Sequence, residues 1–322
     1  MQTLRAVFMT LIALAPAAAL AQGATWPTRP IRLIMPFPPG GATDVNARAL
    51  AKEMEGSLGQ PVVVDNRGGA NGIIGSDLVA KAAPDGYTLM HISVAFAINP
   101  STYKKLPFDP IRDFTPITNP IVGNGALLVV HPSLPVRSVT ELVALAKKQQ
   151  LVYSSPGIGN VLHLITEAFN VRAGIRMLHV PYKGAGPALV AVLGNEAQVN
   201  VVPPLVGATH VRAERLRALG YSGAKRLETM PELPTIGEAG VPGFQLDSGW
   251  HGWFAPAKMP ERIVNQIYSA IQKAVQTPRM RDVFKTAGYE PVADAPAVFQ
   301  KTVVADIKRW GEIVRLAKIE PE

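Results

Sequence analysis

The groups in this chain whose type and spacing suit chemistry are arranged to hold an anion. Pro36-Phe37-Pro38-Pro39-Gly40-Gly41-Ala42-Thr43-Asp44 follows an apolar run at 31–35 and precedes an amphipathic pattern of Ala47, Leu50, Ala51, Met54 and Leu58. The run reads as a buried strand and the pattern as a helix. The loop therefore feeds a helix N-terminus, whose first backbone N–H groups lack intrahelical partners and carry partial positive charge. Gly40 and Gly41 remove side-chain bulk there, so an anion can approach the backbone closely. The loop contains no Ser, Cys, His or Lys for covalent chemistry. Holding a carboxylate is what it is equipped to do, and Phe37, Pro39, Gly40, Gly41, Thr43 and Asp44 are its expected contacts. Asp44 suits a ligand hydroxyl or water, or stabilises the helix start.

A second loop mirrors the first. Val152-Tyr153-Ser154 ends a strand, and Ser155-Pro156-Gly157-Ile158-Gly159-Asn160 runs into a helix. Ser154, Ser155 and Asn160 can donate to an anion near Gly157, and Asn160 equally suits the helix N-cap. His163, three residues into that helix, is placed to line the same cleft, as is Ser93 at the end of the third strand. Two such loops facing each other would clamp a small acid. A third strand-to-helix segment, Val180-Pro181-Tyr182-Lys183-Gly184-Ala185-Gly186-Pro187, offers Lys183 as a cation, although an exposed lysine is an equal reading. Phe37, Lys183 and His251 are assigned to the far end of the pocket.

Other chemistries lack their parts. Asn66-Arg67-Gly68-Gly69-Ala70-Asn71-Gly72 lacks the Gly-Lys-Ser/Thr ending of a P-loop, and Leu162 stands where a dinucleotide fingerprint needs its third glycine. The six histidines show no metal spacing, no serine sits in a GxSxG elbow, and the chain has no cysteine. The expectation is a binding protein that is not an enzyme and uses no cofactor or metal. The net charge is +8, but the basic residues are scattered and not interleaved with aromatics, which argues against nucleic acid.

The elements that must carry these loops alternate. Strands are expected at 31–35, 62–65, 88–92, 126–130, 152–154, 177–180, 199–202 and 216–219, with helical periodicity between them. Ser138 and Glu141 read as a capping box. Val161, Leu164, Ile165 and Ala168 mark a helix, and two more follow, around 263–274 and 303–314. This alternation predicts an α/β protein with mostly parallel sheets and ligands at the carboxyl ends of the strands. Pro-rich stretches at 106–120 and 230–243 suggest that the chain crosses there between two domains. The expected division is 22–124 with 247–322 as a first lobe and 125–246 as a second. Arg5, the apolar run 6–19 and Ala19-Leu20-Ala21 read as a cleavable signal peptide over 1–21. Export without cysteine fits a bacterial periplasm.

These pieces resemble the solute-binding proteins of the tripartite tricarboxylate transporter family, the Bug receptors of Bordetella. The similarity runs through the 36–44 loop, Asn66-Arg67-Gly68-Gly69-Ala70, Asp85-Gly86-Tyr87-Thr88-Leu89, Val180-Pro181-Tyr182-Lys183-Gly184, Arg217-Ala218-Leu219, Pro234-Thr235-Ile236-Gly237-Glu238-Ala239-Gly240 and Trp253-Phe254-Ala255-Pro256. The resemblance implies a type II periplasmic-binding-protein fold of two α/β lobes around a cleft. It implies a monomer that captures a small organic carboxylate, a di- or tricarboxylate or an aromatic acid, and passes it to a large and a small membrane subunit; the alternatives are a protein that serves sensing and an exported enzyme acting on such acids. It also implies that one ligand carboxylate is held by the 37–44 and 154–160 loops, largely through backbone amides and bound waters. Two departures stand out. Gly68 replaces a proline common in the family. Asn200-Val201-Val202-Pro203-Pro204-Leu205 lacks an acidic residue that suits ligands with an amino group.

Overall fold

The structure, a computed structural model, describes residues 26–321; the expected signal peptide lies outside the described residues. The elements alternate, and two sheets organise them. The first sheet contains β1 (Ile31–Met35), β2 (Val62–Asn66), β3 (Thr88–Ser93) and β4 (Phe114–Gly123). The second contains β5 (Leu127–Val130), β6 (Val152–Ser155), β7 (Leu178–Pro181), β8 (Val199–Val202) and β9 (Arg217–Tyr221). Two late strands, β10 (Gly249–Pro256) and β11 (Tyr289–Pro291), return to the first sheet. The strand orders are β11-β4-β10-β3-β1-β2 and β7-β6-β8-β5-β9. The helices are α1 (Ala42–Leu58), α2 (Ile73–Ala80), α3 (Ala95–Thr102), α4 (Val139–Ala146), α5 (Val161–Ala173), α6 (Ala185–Leu193), α7 (Pro204–Arg212), α8 (Glu261–Val275), α9 (Pro278–Ala287) and α10 (Pro296–Leu316).

The expectation of mostly parallel sheets is corrected. Among the named strands of the described residues, β1–β2, β1–β3, β6–β7 and β6–β8 pair in parallel, and the other five pairings are antiparallel. The cause is the chain's path. β5 enters the second sheet from the first, and β10 returns the other way. Each inserts between strands of its new sheet running against them, β5 between β8 and β9 and β10 between β3 and β4.

The Pro-rich stretch at 106–120 is likewise corrected: it is not a crossing. Its second half is β4, and Phe108 and Phe114 pack into the aromatic core with Phe96 and Phe254. Pro116 is tolerated because it lies at a register irregularity with β10 and beyond the residues that pair with β11. The crossings occur at 124–126 and 222–248. They are stitched by Ser222, whose N–H donates to Ala126 O at 2.9 Å and whose hydroxyl donates to Leu246 O at 2.8 Å.

Each face of the first sheet is covered. On one, α8 contributes Ile263, Ile267, Ala270, Ile271 and Ala274 to a core that also holds Leu33, Leu89 and Trp253. Wholly buried Ile267 and Ile271 each contribute about 1.5–3 kcal/mol by burial. On the other, Trp250, Phe254 and Phe299 pack with ring centroids 5.1–5.9 Å apart, and this cluster continues into the second lobe through Leu128, Tyr153 and Phe169.

Candidate functional site

The first loop leaves β1 at buried Pro36 and enters α1. Its shape is fixed from inside. Asp44, in the first turn of α1, accepts from the Gly40 N–H at 3.0 Å and from Arg48 Nε at 3.0 Å through Oδ2. Its Oδ1 accepts from Asn66 Nδ2 at 2.8 Å, and the same amide nitrogen donates to Phe37 O at 3.0 Å. Arg48 closes the set by donating to Asn66 Oδ1 at 2.7 Å. Burial raises the Asp44 pKa, but the hydrogen bonds from Arg48, Asn66 and Gly40 outweigh it, and the net shift is downward. Both carboxylate oxygens of Asp44 are thus engaged in holding the loop.

What the loop leaves free is backbone. Gly41 is the N-cap of α1 with no side-chain cap. Among the described residues, the amides of Ala42, Thr43 and Asp44 have no hydrogen-bond partner, as the first turn of a helix requires. Gly40 has φ +85, a left-handed conformation that favours glycine. Phe37 and Thr43 are half-buried, while Pro39 and Gly40 are exposed. These unpartnered amides lie at the positive end of a 17-residue helix, an arrangement that favours negative charge.

The second loop is held in the same manner by histidines. Asn160 caps α5, its Oδ1 accepting from Leu162 N–H at 3.0 Å. His163 Nδ1 accepts from Gly159 N–H at 3.3 Å, which puts its ring proton on Nε2. Ser155 Oγ lies 2.6 Å from His179 Nε2 and accepts from Gly157 N–H at 3.2 Å. The rings of Tyr153, His179 and His163 stack behind the loop, with centroids 4.8 Å and 4.2 Å apart along the series. Tyr153 OH donates to Glu167. Burial holds both imidazoles neutral, at about 3 for His163, where the neighbouring His179 adds to the shift, and about 4 for His179.

The remaining expected residues fall around this frame. The hydroxyl of Ser154 donates into the second lobe, to Ala188 O at 2.9 Å, and accepts from Asn200 Nδ2 at 2.9 Å. Ser93 ends β3, nearly buried, and its Oγ accepts from Ala95 N–H at 3.4 Å. Lys183 is exposed on a segment tied to the second loop through Tyr182 N–H to Ser155 O and Gly184 N–H to Pro156 O. His251 lies in the first sheet, 4 % exposed, its ring 5.4 Å from His91 and 4.9 Å from Tyr289. Its pKa is lowered to about 3 by burial.

Sequence reasoning missed Asn66, Arg48 and His179, which position the loops, and it set the glycine-rich 66–72 segment aside. That segment packs on the first loop: a Cβ at Gly68 would lie 3.2 Å from Pro38, and one at Gly72 would lie 3.5 Å from the Phe37 ring. It also reaches the second loop, since Asn71 Nδ2 donates to Gly159 O at 3.2 Å. The available signal was compositional: glycines clustered beside a proposed binding loop permit close backbone approach. Among the described residues no group of acidic, His or Cys side chains could hold a metal ion, and no helix is long and apolar enough to cross a membrane.

Residues 46–319 match the family model described as the tripartite tricarboxylate transporter family receptor. The chain is 37% identical over 320 residues to the protein BugT of Bordetella pertussis, covering 98% of this chain and 97% of BugT. Among solved structures, an R. palustris protein with adipate superposes with a TM-score of 0.87 at 33% identity, covering 92% of this chain and 100% of the other. MatC of Rhodopseudomonas palustris with bound malate gives 0.81 at 30% identity, covering 90% and 100%.

Proposed function

Because the chain belongs to the tripartite tricarboxylate transporter receptor family, we propose that it is a periplasmic receptor that captures a small organic carboxylate between its two lobes. One carboxylate of the ligand meets the free amides at the start of α1 from one side and the 154–160 loop from the other. The observation that carries this reading is the first loop itself: its acidic side chain is turned inward to hold the bend, and its backbone donors are left for an anion. Thr43 and Ser93 add hydroxyls beside them. Phe37 and Lys183 bound the remainder of the molecule. The captured acid then passes to a large and a small membrane subunit, and the receptor works without catalysis.

Relatives solved with adipate and malate favour a dicarboxylate. The segment 200–205 carries no acidic side chain, and Asn200 Nδ2 is spent on Ser154 Oγ and Ala188 O. Simple carboxylates are therefore favoured over acidic amino acids, whose ammonium group would find no counter-charge there. The test is a thermal-shift screen of mono-, di- and tricarboxylates alongside aspartate and glutamate, since a ligand of the native state raises its melting temperature by mass action. A shift with dicarboxylates supports the proposal. A shift with aspartate or glutamate alone, or conversion of any acid detected by mass spectrometry, rejects it.

A further inference from the structure

The geometry points to Asn71 as a positioning residue for ligand binding: it latches the glycine-rich loop of the first lobe onto the anion loop of the second, and so sets how long a bound acid is held. The inference rests on the two-loop reading above and extends it to a residue that need not touch the ligand.

Gly159 is where the latch closes. Its φ of +73 favours glycine, and a Cβ there would lie 2.7 Å from Thr102 Oγ1, at the end of α3 in the first lobe. Its two polar backbone atoms are held from opposite sides. The N–H donates to His163 Nδ1 on α5, within its own lobe. The carbonyl accepts from Asn71 Nδ2, across the gap between the lobes. The Gly159 backbone is therefore fixed relative to both lobes at once, inside the loop proposed to grip the carboxylate.

Asn71 is prepared for this role. It adopts φ 47 and ψ 35, the left-handed region in which asparagine is enriched. Its side chain and backbone form a reciprocal pair with buried Asn99 of α3: Asn71 Nδ2 donates to Asn99 Oδ1 at 2.9 Å, and Asn99 Nδ2 donates to Asn71 O at 3.1 Å. One hydrogen of the Asn71 amide is thus committed to its own lobe, and the other is free for Gly159. The neighbouring Gly72 lies against Phe37 and Ile92, so the latch is continuous with the first loop as well. A bond that exists only while the lobes meet adds to the population competent to retain ligand. It acts mainly on release, where affinity differences between related complexes usually lie.

The test is Asn71→Gly. Glycine accepts the left-handed backbone without strain, so the variant keeps its fold while losing the amide, with a modest fall in melting temperature because buried Asn99 Oδ1 loses its partner. Affinity and dissociation rate are measured with the dicarboxylate that most stabilises the wild-type protein, adipate and malate included in the panel. The expected result is a dissociation constant raised about fivefold to tenfold, the equivalent of one hydrogen bond, with the change in the off-rate. Asn71→Asp, which keeps the shape but opposes an oxygen to the Gly159 carbonyl, loses at least as much. Wild-type affinity and off-rate in Asn71→Gly would overturn the latch. If Gly41→Val is impaired in that same series, the two-loop reading survives and only the latch fails. A wild-type protein that binds no acid in the panel rejects both.

Discussion

Gly41→Val separates the folding role of the first loop from its binding role. Gly41 sits at φ −75 and ψ 163, extended geometry open to any residue. A Cβ built there meets nothing within 4 Å. The substitution therefore costs only the poorer N-cap preference of valine, about 0.5–1 kcal/mol. That lowers the melting temperature by roughly 1–2 °C in a chain of this size. Binding should respond far more. The branched side chain takes up the open space through which an anion reaches the Ala42, Thr43 and Asp44 amides. Hydrogen bonds to a charged group contribute about 1.5–3 kcal/mol each, so losing one or two weakens binding by about 3 kcal/mol, roughly 100-fold in Kd. Isothermal titration with the best dicarboxylate, paired with calorimetric melting of both proteins, measures the two effects separately. Unchanged affinity in a folded Gly41→Val protein would refute the assignment of the carboxylate to this loop.

Other consequences follow from the same contacts. Asp44→Ala removes the inward staple, and with three hydrogen bonds lost we expect about 1–3 kcal/mol less stability and about tenfold weaker binding; intact affinity would show that the loop holds its shape without it. Ser154→Ala should destabilise by about 1 kcal/mol, because Asn200 loses a partner, yet leave Kd within about twofold; a tenfold loss would place that hydroxyl on the ligand instead. His91, His163, His179 and His251 all have pKa values lowered by burial, with His163 at about 3 and His179 at about 4. The unfolded chain takes up those protons near the ordinary value of 6.5, while the folded chain resists until far lower pH. Stability is therefore full above about pH 6.5 and declines as the pH falls toward 4. A melting temperature flat between pH 7 and 4.5 would contradict this.

The sequence made the strands that carry the candidate loops legible where local chemistry dominates. β1, β2, β3, β6 and β8 were read within a residue or so at each end, because their apolar runs are bounded by Pro and Gly, and Asn160 was a readable N-cap. β4 and β10 were not. Pro116 and Pro120 disguise a strand whose neighbours, β10 and β11, come from more than a hundred residues further along the chain, and the aromatic cluster 250–253 carries no alternation that marks a strand. Their antiparallel insertion is a property of the chain's route between lobes, which no local pattern records. Within the site, the loops were visible as glycine-bearing strand-to-helix joins. The contacts that shape them were not, since Asn66 meets Asp44 across 22 residues and Asn71 meets Gly159 across 88. Such pairs depend on the tertiary arrangement of the lobes.

The most direct measurement is a crystal structure of the protein with the dicarboxylate that stabilises it most. The account predicts one carboxylate within hydrogen-bonding distance, directly or through a single water, of the α1 amides at 42–44, with the 154–160 loop closing on it from the other lobe. A carboxylate bound elsewhere, or amides at 42–44 facing away from it, would contradict the account.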